Sequence, residues 1–401
     1  MVINFDYNAT TPIHPDVIDS ISHTLHNYWS NPSSNHISGK LAKQILQNSR
    51  LNVSSLLQCN ADEIVFTASG SESNNIAIQG WFFQRFSPDS NSKFHVLCSC
   101  FEHPSVAKPC GFLCDYFPVS QSIIPVNSSG FVDLDFLYSE LDHLCKIGVT
   151  NLFISIMTAN NEIGTVQPIS KISNIIQHFK GKMEIVFHTD ASQIIGKLPV
   201  SFRELNVDLM TITGHKFYAP KGSGMLIIRR GVTIDGTIKG GGQERGLRAG
   251  TEAVHHAVAL SKALDIVSEG IEERAEYMRG LKKLFMEEMT RKCDSLGVEF
   301  GCNVDSTSEL VLPNTLSVFF EKKGSVSGAE IVSRLADKVL LSAGAACHSS
   351  CVKPSSTLKA IGVDDERSLG TVRVSFGLFT TKDEVLKGIA EIASVLKIGN
   401  N

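Results

Sequence analysis

The chain has 401 residues, a formal net charge of −4, and 42% hydrophobic and 19% charged residues. Those proportions suit an ordinary globular protein with one large domain and a smaller one. With no block of like charge and no apolar run near the ~20 residues of a membrane-spanning helix, neither nucleic acid nor a membrane is an expected partner.

The first residues lack the basic and apolar regions of a signal peptide, and folded sequence starts too early for a transit peptide. A cytoplasmic location is expected. Proline opens a helix predicted at 15–28, with Val17, Ile18, Ile21, Leu25 and Tyr28 as its apolar stripe. From about 60 to 230, strands are predicted at 64–67, 96–99, 152–157, 185–188, 209–213 and 225–229. Helical patterns fall between several of them, at 72–86 and 169–179. Most of these strands are near-continuous apolar runs, as in a mostly parallel sheet covered on both faces. A long helical stretch at 252–293 leads to strands near 315–320, 338–341 and 372–376 and a last helix at 382–396. The reading is a large α/β domain at 15–262, with 1–14 and 263–401 forming a smaller α+β domain.

The chain carries ten cysteines but no Cys-x-x-Cys pair, which fits buried thiols in a reducing compartment better than a disulfide framework. A metal site from Cys347, His348 and Cys351 lacks a fourth ligand at metal-site spacing, so no metal is expected.

In open α/β sheets ligands bind beyond the carboxyl ends of the strands, so polar residues there are the candidates. Strand 64–67 runs into Ala68-Ser69-Gly70-Ser71, small residues opening a helix whose free N–H groups suit a phosphate; read alone, the same residues make an ordinary helix cap. Strand 96–99 is followed by Glu102-His103, and strand 152–157 by Asn160-Asn161-Glu162. Strand 185–188 leads to Asp190-Ala191-Ser192-Gln193, and strand 209–213 to Gly214-His215-Lys216. Each fragment has a structural reading, as a turn or a cap. Five at successive strand ends point to one site.

At Asp190-Ala191-Ser192-Gln193 and Thr213-Gly214-His215-Lys216 the sequence resembles the class V branch of fold-type I pyridoxal-phosphate enzymes. Within that branch it resembles the cysteine desulfurase and selenocysteine lyase family. The likeness extends from Asp6-Tyr7-Asn8-Ala9-Thr10-Thr11-Pro12 to Arg373-Val374-Ser375-Phe376-Gly377. It includes Asn31-Pro32-Ser33-Ser34, Gly240-Gly241-Gly242-Gln243-Glu244-Arg245 and Gly344-Ala345-Ala346-Cys347-His348-Ser349.

The resemblance implies the fold-type I transferase architecture, with pyridoxal 5'-phosphate as cofactor. Lys216 would carry the cofactor covalently and then move protons at the substrate's Cα. Asp190 would pair with the ring nitrogen, so that the ring draws electrons. His103 would stack on the ring and relay protons, while Asn161 and Gln193 would hydrogen-bond its substituents. Gly70, Ser71, Thr213 and His215 would hold the phosphate. Thr251 would reach the phosphate of a partner subunit, making a homodimer. Arg373, with Asn161, would bind the substrate carboxylate. Cys347, in a loop of small residues expected to be mobile, would attack the departing chalcogen or donate a proton to it.

The segment Gly344 to Ser349 is closer to the selenocysteine lyase pattern than to the desulfurase one, although Ser350 stands where that pattern has an acidic residue. The expected reaction is therefore removal of selenium from L-selenocysteine, giving L-alanine and selenide. The alternatives are a cysteine desulfurase, a class V aminotransferase and a silent protein-binding scaffold. A protein that accepts the selenium or sulfur is a further expected partner.

Overall fold

The computed structural model describes residues 2–89, 91–321, 327–348 and 351–398, with side chains throughout except at 345–348, 351–353 and 398. After a two-residue strand β1 (Ile3–Asn4), the large sheet is built from β2 (Ile64–Thr67), β3 (Phe94–Ser99), β4 (Val119–Ile124), β5 (Asn151–Ser155), β6 (Glu184–Asp190), β7 (Leu209–Thr213) and β8 (Gly224–Ile228). Their order is β2-β8-β7-β6-β5-β3-β4. All run parallel except β8, which is antiparallel to both β2 and β7. The carboxyl ends of six strands therefore open on one edge.

The continuous apolar runs have a simple cause. Successive strand residues point to opposite faces, and both faces are covered. Leu152, Ile154, Met210, Ile212, Met225 and Ile227 join one hydrophobic cluster. Their neighbours Phe153, Leu209, Leu226 and Ile228 join another on the opposite face, with Trp81 and Phe82. Strand β4 and the helix Pro104–Tyr116 escaped the sequence reading. β4 lies at the sheet edge with Ser120 and Gln121 exposed, so it shows little apolar signal. The helix contains Pro109, which forfeits a backbone N–H and reads as a break.

The remaining strands are β9 (Glu299–Cys302), β10 (Thr315–Glu321), β11 (Val339–Leu340), β12 (Ser342–Ala343), β13 (Ala345–His348), β14 (Cys351–Pro354) and β15 (Thr371–Ser375). A four-stranded antiparallel sheet runs β12-β15-β10-β9, β13 pairs with β14, and β1 pairs in parallel with β11. This sheet packs with helices Ile271–Leu296 and Lys382–Ile398 around Phe285, Val318, Phe320, Val374 and Ile389. Phe5 joins this core, edge to face with Phe376 at 5.2 Å between centroids.

Two expectations change. The stretch 252–293 is not one helix: it breaks between Val254–Ser268 and Ile271–Leu296, where Gly270 takes a left-handed φ of 59°. Ala263, Leu264 and Val267 of the first of these helices pack in the large-sheet core. Also, the backbone of 345–348 is a strand paired with 351–354, where an irregular loop was expected.

A buried ion pair holds the Gly240–Arg245 segment against β2. Both Glu244 and Arg245 have left-handed backbones, with φ of 46° and 60°. The Glu244 carboxylate accepts two hydrogen bonds from Arg50, at 2.6 and 3.0 Å, and one from Phe66 N at 3.0 Å. Removing one member leaves the other charge buried and unpaired. Glu244→Ala is therefore expected to lower stability by about 3–5 kcal/mol, seen as an earlier urea midpoint. An unchanged midpoint would show that Arg50 finds water or another partner.

Candidate active site

The edge formed by the strand ends carries a cavity of about 370 Å³, within the roughly 300–1,000 Å³ of small-molecule sites. Ten of the residues singled out above line it: Gly70, Ser71, His103, Asn161, Asp190, Gln193, Thr213, His215, Lys216 and Arg373. Most reach it because a strand stops there. Asp190 is the last residue of β6, Thr213 the last of β7, and Lys216 ends the short turn after β7.

Lys216 Nζ donates to the carbonyls of Asn8 and Ala9 at 2.6 and 2.7 Å. Burial brings its amine down to about 8, helped by Arg373 and opposed by Asp6 and Asp190. Asp190 is buried and accepts from Asn74 Nδ2 and from Ser192 N, both at 2.9 Å. Solvent reaches His103 from the open side, but the protein packed around its ring desolvates it and lowers its pKa. His103 Nδ1 accepts from Ser105 N at 3.1 Å, capping helix Pro104–Tyr116 and keeping that nitrogen unprotonated. Its neighbour Glu102 is buried; burial pushes its carboxyl well above the usual range, while Ser99 and Met157 N donate to it.

The donor set fits pyridoxal phosphate. Ser69 caps the 16-residue helix Gly70–Arg85, and Ser69, Gly70 and Ser71 at its N-terminus line the cavity, where the helix end favours an anion. Gly70 N donates to Thr213 Oγ1 at 3.2 Å, and a Cβ at Gly70 would come within 3.1 Å of the Thr213 Cβ, crowding this cradle. Arg373 binds Asp6 Oδ1 at 2.7 Å, Ser342 Oγ at 2.8 Å and Asn161 O at 3.1 Å. Its buried Nε has no partner among the described residues.

Two expected residues are not among the described residues that line this cavity. Thr251 is exposed or nearly so and lines a neighbouring concavity with Phe66, Arg248 and His256. The side chain of Cys347 lies outside the described residues, as do those of His348 and Cys351. The segment after the β13–β14 hairpin is nonetheless tied to the site loop. Ser355 and Thr357 donate to Glu162, beside Asn161.

The sequence reading passed over Asn8 and Lys197. Asn8 is 1% exposed and joins the N-terminal segment to Asn161, Thr315, Ser375 and Lys216. It stands inside one of the quoted motifs, the available signal for it. Lys197 lies past a strand end, four residues after Gln193, and no motif marks it. Among the described residues no cluster of three or more metal-ligating side chains occurs, and no helix is long and apolar enough to cross a membrane.

A sheet edge that gathers a desolvated lysine, a buried aspartate and a helix N-terminus defines a fold-type I pyridoxal-phosphate enzyme. The aminotransferase class-V family model matches residues 3–387, and the chain belongs to that family. It is 36% identical over 384 residues to cysteine desulfurase IscS of Dictyoglomus turgidum, covering 96% of this chain and 91% of that protein. It is 33% identical over 412 residues to selenocysteine lyase of Rattus norvegicus, again covering 96% and 91%. A solved NifS-like protein superposes with a TM-score of 0.85 at 31% identity, covering 99% of this chain and all of the other.

Proposed function

We propose that the protein removes selenium from L-selenocysteine. The observation that carries this reading is the shared cavity of Lys216, Asp190 and Arg373. When bound there, pyridoxal phosphate supplies an electron sink that stabilises negative charge at the substrate's Cα and Cβ. Gly70, Ser71, Thr213 and His215 would hold the phosphate, Asp190 the ring nitrogen, and Asn161 and Gln193 the ring substituents. His103 would cover the ring.

Arg373 orients the substrate through its carboxylate, its guanidinium held in place by Asp6, Ser342 and Asn161. Lys216 takes the Cα proton and returns one, a role suited to an amine whose pKa is close to the working pH. Cys347 would take the departing selenium on its sulfur: the Cβ–Se bond breaks with its electron pair left on carbon, a proton at Cβ completes alanine, and a thiol reductant supplies the two electrons that release the sulfur-bound selenium as selenide. With cysteine, the Cys347 thiolate takes the sulfur as a persulfide, and alanine again leaves.

Cysteine desulfuration is the second reading, favoured by the desulfurase names among the relatives. A homodimer is part of the proposal. Thr251, which does not line its own chain's cavity, would serve the phosphate of the partner. A cytoplasmic location and a protein acceptor for the chalcogen complete it.

The test is a side-by-side assay of alanine, selenide and sulfide from the two amino acids, with wild type and Cys347→Ser. Selenide release well above sulfide release is expected, with sulfide release stopped in the variant. Equal or greater turnover of cysteine would favour the desulfurase. Keto acid in place of alanine would identify an aminotransferase, and no cofactor uptake would leave a scaffold.

A further inference from the structure

Lys197 is only 6% exposed, yet it ends in an amine. Its Nζ donates to Gln193 Oε1 at 2.6 Å and to Asn8 Oδ1 at 2.8 Å. Among the described residues no carboxylate pairs with it; Lys216 and Arg373 add positive charge nearby, and Tyr7 and Tyr218 line the same small gap. Burial therefore holds its pKa well below the ordinary lysine range. A methionine would fill this space without burying an amine. The costly group must do something else.

We propose that Lys197 is a positioning residue that sets the Gln193 amide so that its nitrogen, not its oxygen, faces the cofactor. This rests on the cofactor site described above. An amide can be turned end for end, and its partners decide which way it lies. Here the partners leave one choice. Lys197 offers donors, so Oε1 lies toward it. The Asn8 carbonyl can only accept, and Gln193 Nε2 donates to it at 3.1 Å. A reversed amide would set oxygen against oxygen at Asn8.

Gln193 lines the cavity, and the second hydrogen of Nε2 would there meet an oxygen of the guest. Asn8 is itself fixed. Its Oδ1 accepts from Lys197 and from Asn314 at 3.1 Å, while its Nδ2 donates to Asn161 O and Thr315 Oγ1. The same Asn8 carbonyl accepts from Lys216 at 2.6 Å, so the two lysines are aligned on one residue.

The experiment compares Lys197→Met, Gln193→Leu and the double variant by three measurements. These are cofactor affinity of the cofactor-free protein by fluorescence, the pH midpoint of the bound cofactor's visible absorbance, and the thermal melt. Each single variant is expected to weaken cofactor binding about tenfold, the scale of one hydrogen bond. Each should also move the midpoint upward, because an N–H donor favours the deprotonated ring oxygen. The double variant should be no worse than Gln193→Leu, since Lys197 acts through that amide.

Native affinity and midpoint in Lys197→Met would overturn the proposal, as would additive losses in the double variant. Should Lys197→Met fail to fold, Gln193→Glu keeps an acceptor for Lys197 but has no N–H for the cavity. It is expected to show the same losses, and native binding in it would equally overturn the idea. Wild-type protein that binds no pyridoxal phosphate would defeat the site reading instead, a separate outcome.

Discussion

Lys216→Ala is expected to lose covalent attachment of the cofactor and to lower turnover by at least about 10³-fold, since in the proposed function the same amine would both link the cofactor and transfer protons. Its environment explains why. Moving the amine from 10.5 to about 8 raises its reactive fraction at pH 7 by about 300-fold. Burial accounts for most of that shift, and Arg373 adds to it. In the cofactor-free protein, amine-directed labelling of Lys216 should therefore rise as pH passes about 8, well below the surface lysines. The linkage to stability has a definite sign. Between about pH 8 and 10.5 the unfolded chain binds more protons at this group than the folded one, so its contribution to stability rises with pH there. Turnover that survives in Lys216→Ala, or colour that stays with the variant through denaturing gel filtration, would refute the assignment.

Asp190→Asn is expected to lower turnover by about 10²–10³-fold, the scale seen when one preorganised electrostatic partner is removed, with little change in melting temperature. The fold should absorb the change. The substituted side chain keeps an oxygen for Ser192 N, and its new NH₂ would face Asn74. The Asn74 Oδ1 has no partner among the described residues, so that amide can turn round and accept, while the Ser105 hydroxyl serves either way. What the substitution takes away is the negative charge that, in the proposed reading, would face the ring nitrogen. Near-native turnover, or a large drop in melting temperature, would count against this role.

The site was legible because its chemistry sits where strands end. Asp190, Gln193, Lys216 and the Ser69–Ser71 turn follow apolar runs, and a parallel sheet has to bring such ends to one edge. Asn8 and Lys197 were not legible as functional. An asparagine close before two threonines reads as a turn, and a lysine after glycine reads as solvated. Only their packing against Gln193 and Lys216 shows otherwise.

The chain's own pattern pointed to the α/β class and to eight of the groups that line the cavity, because strand periodicity and strand-end position are local properties; the pyridoxal-phosphate family, and with it Thr213 and Arg373, was legible only through the motif resemblance. Tertiary structure decided what depends on residues far apart. It put β4 at the edge, broke the long helical stretch at Gly270, placed Thr251 outside its own cavity, and enclosed Lys197 between residues 8 and 193. The physical reason is that burial and hydrogen-bond partnership belong to the assembled neighbourhood. A lysine's charge and an amide's orientation follow from that neighbourhood, which no short stretch of sequence contains.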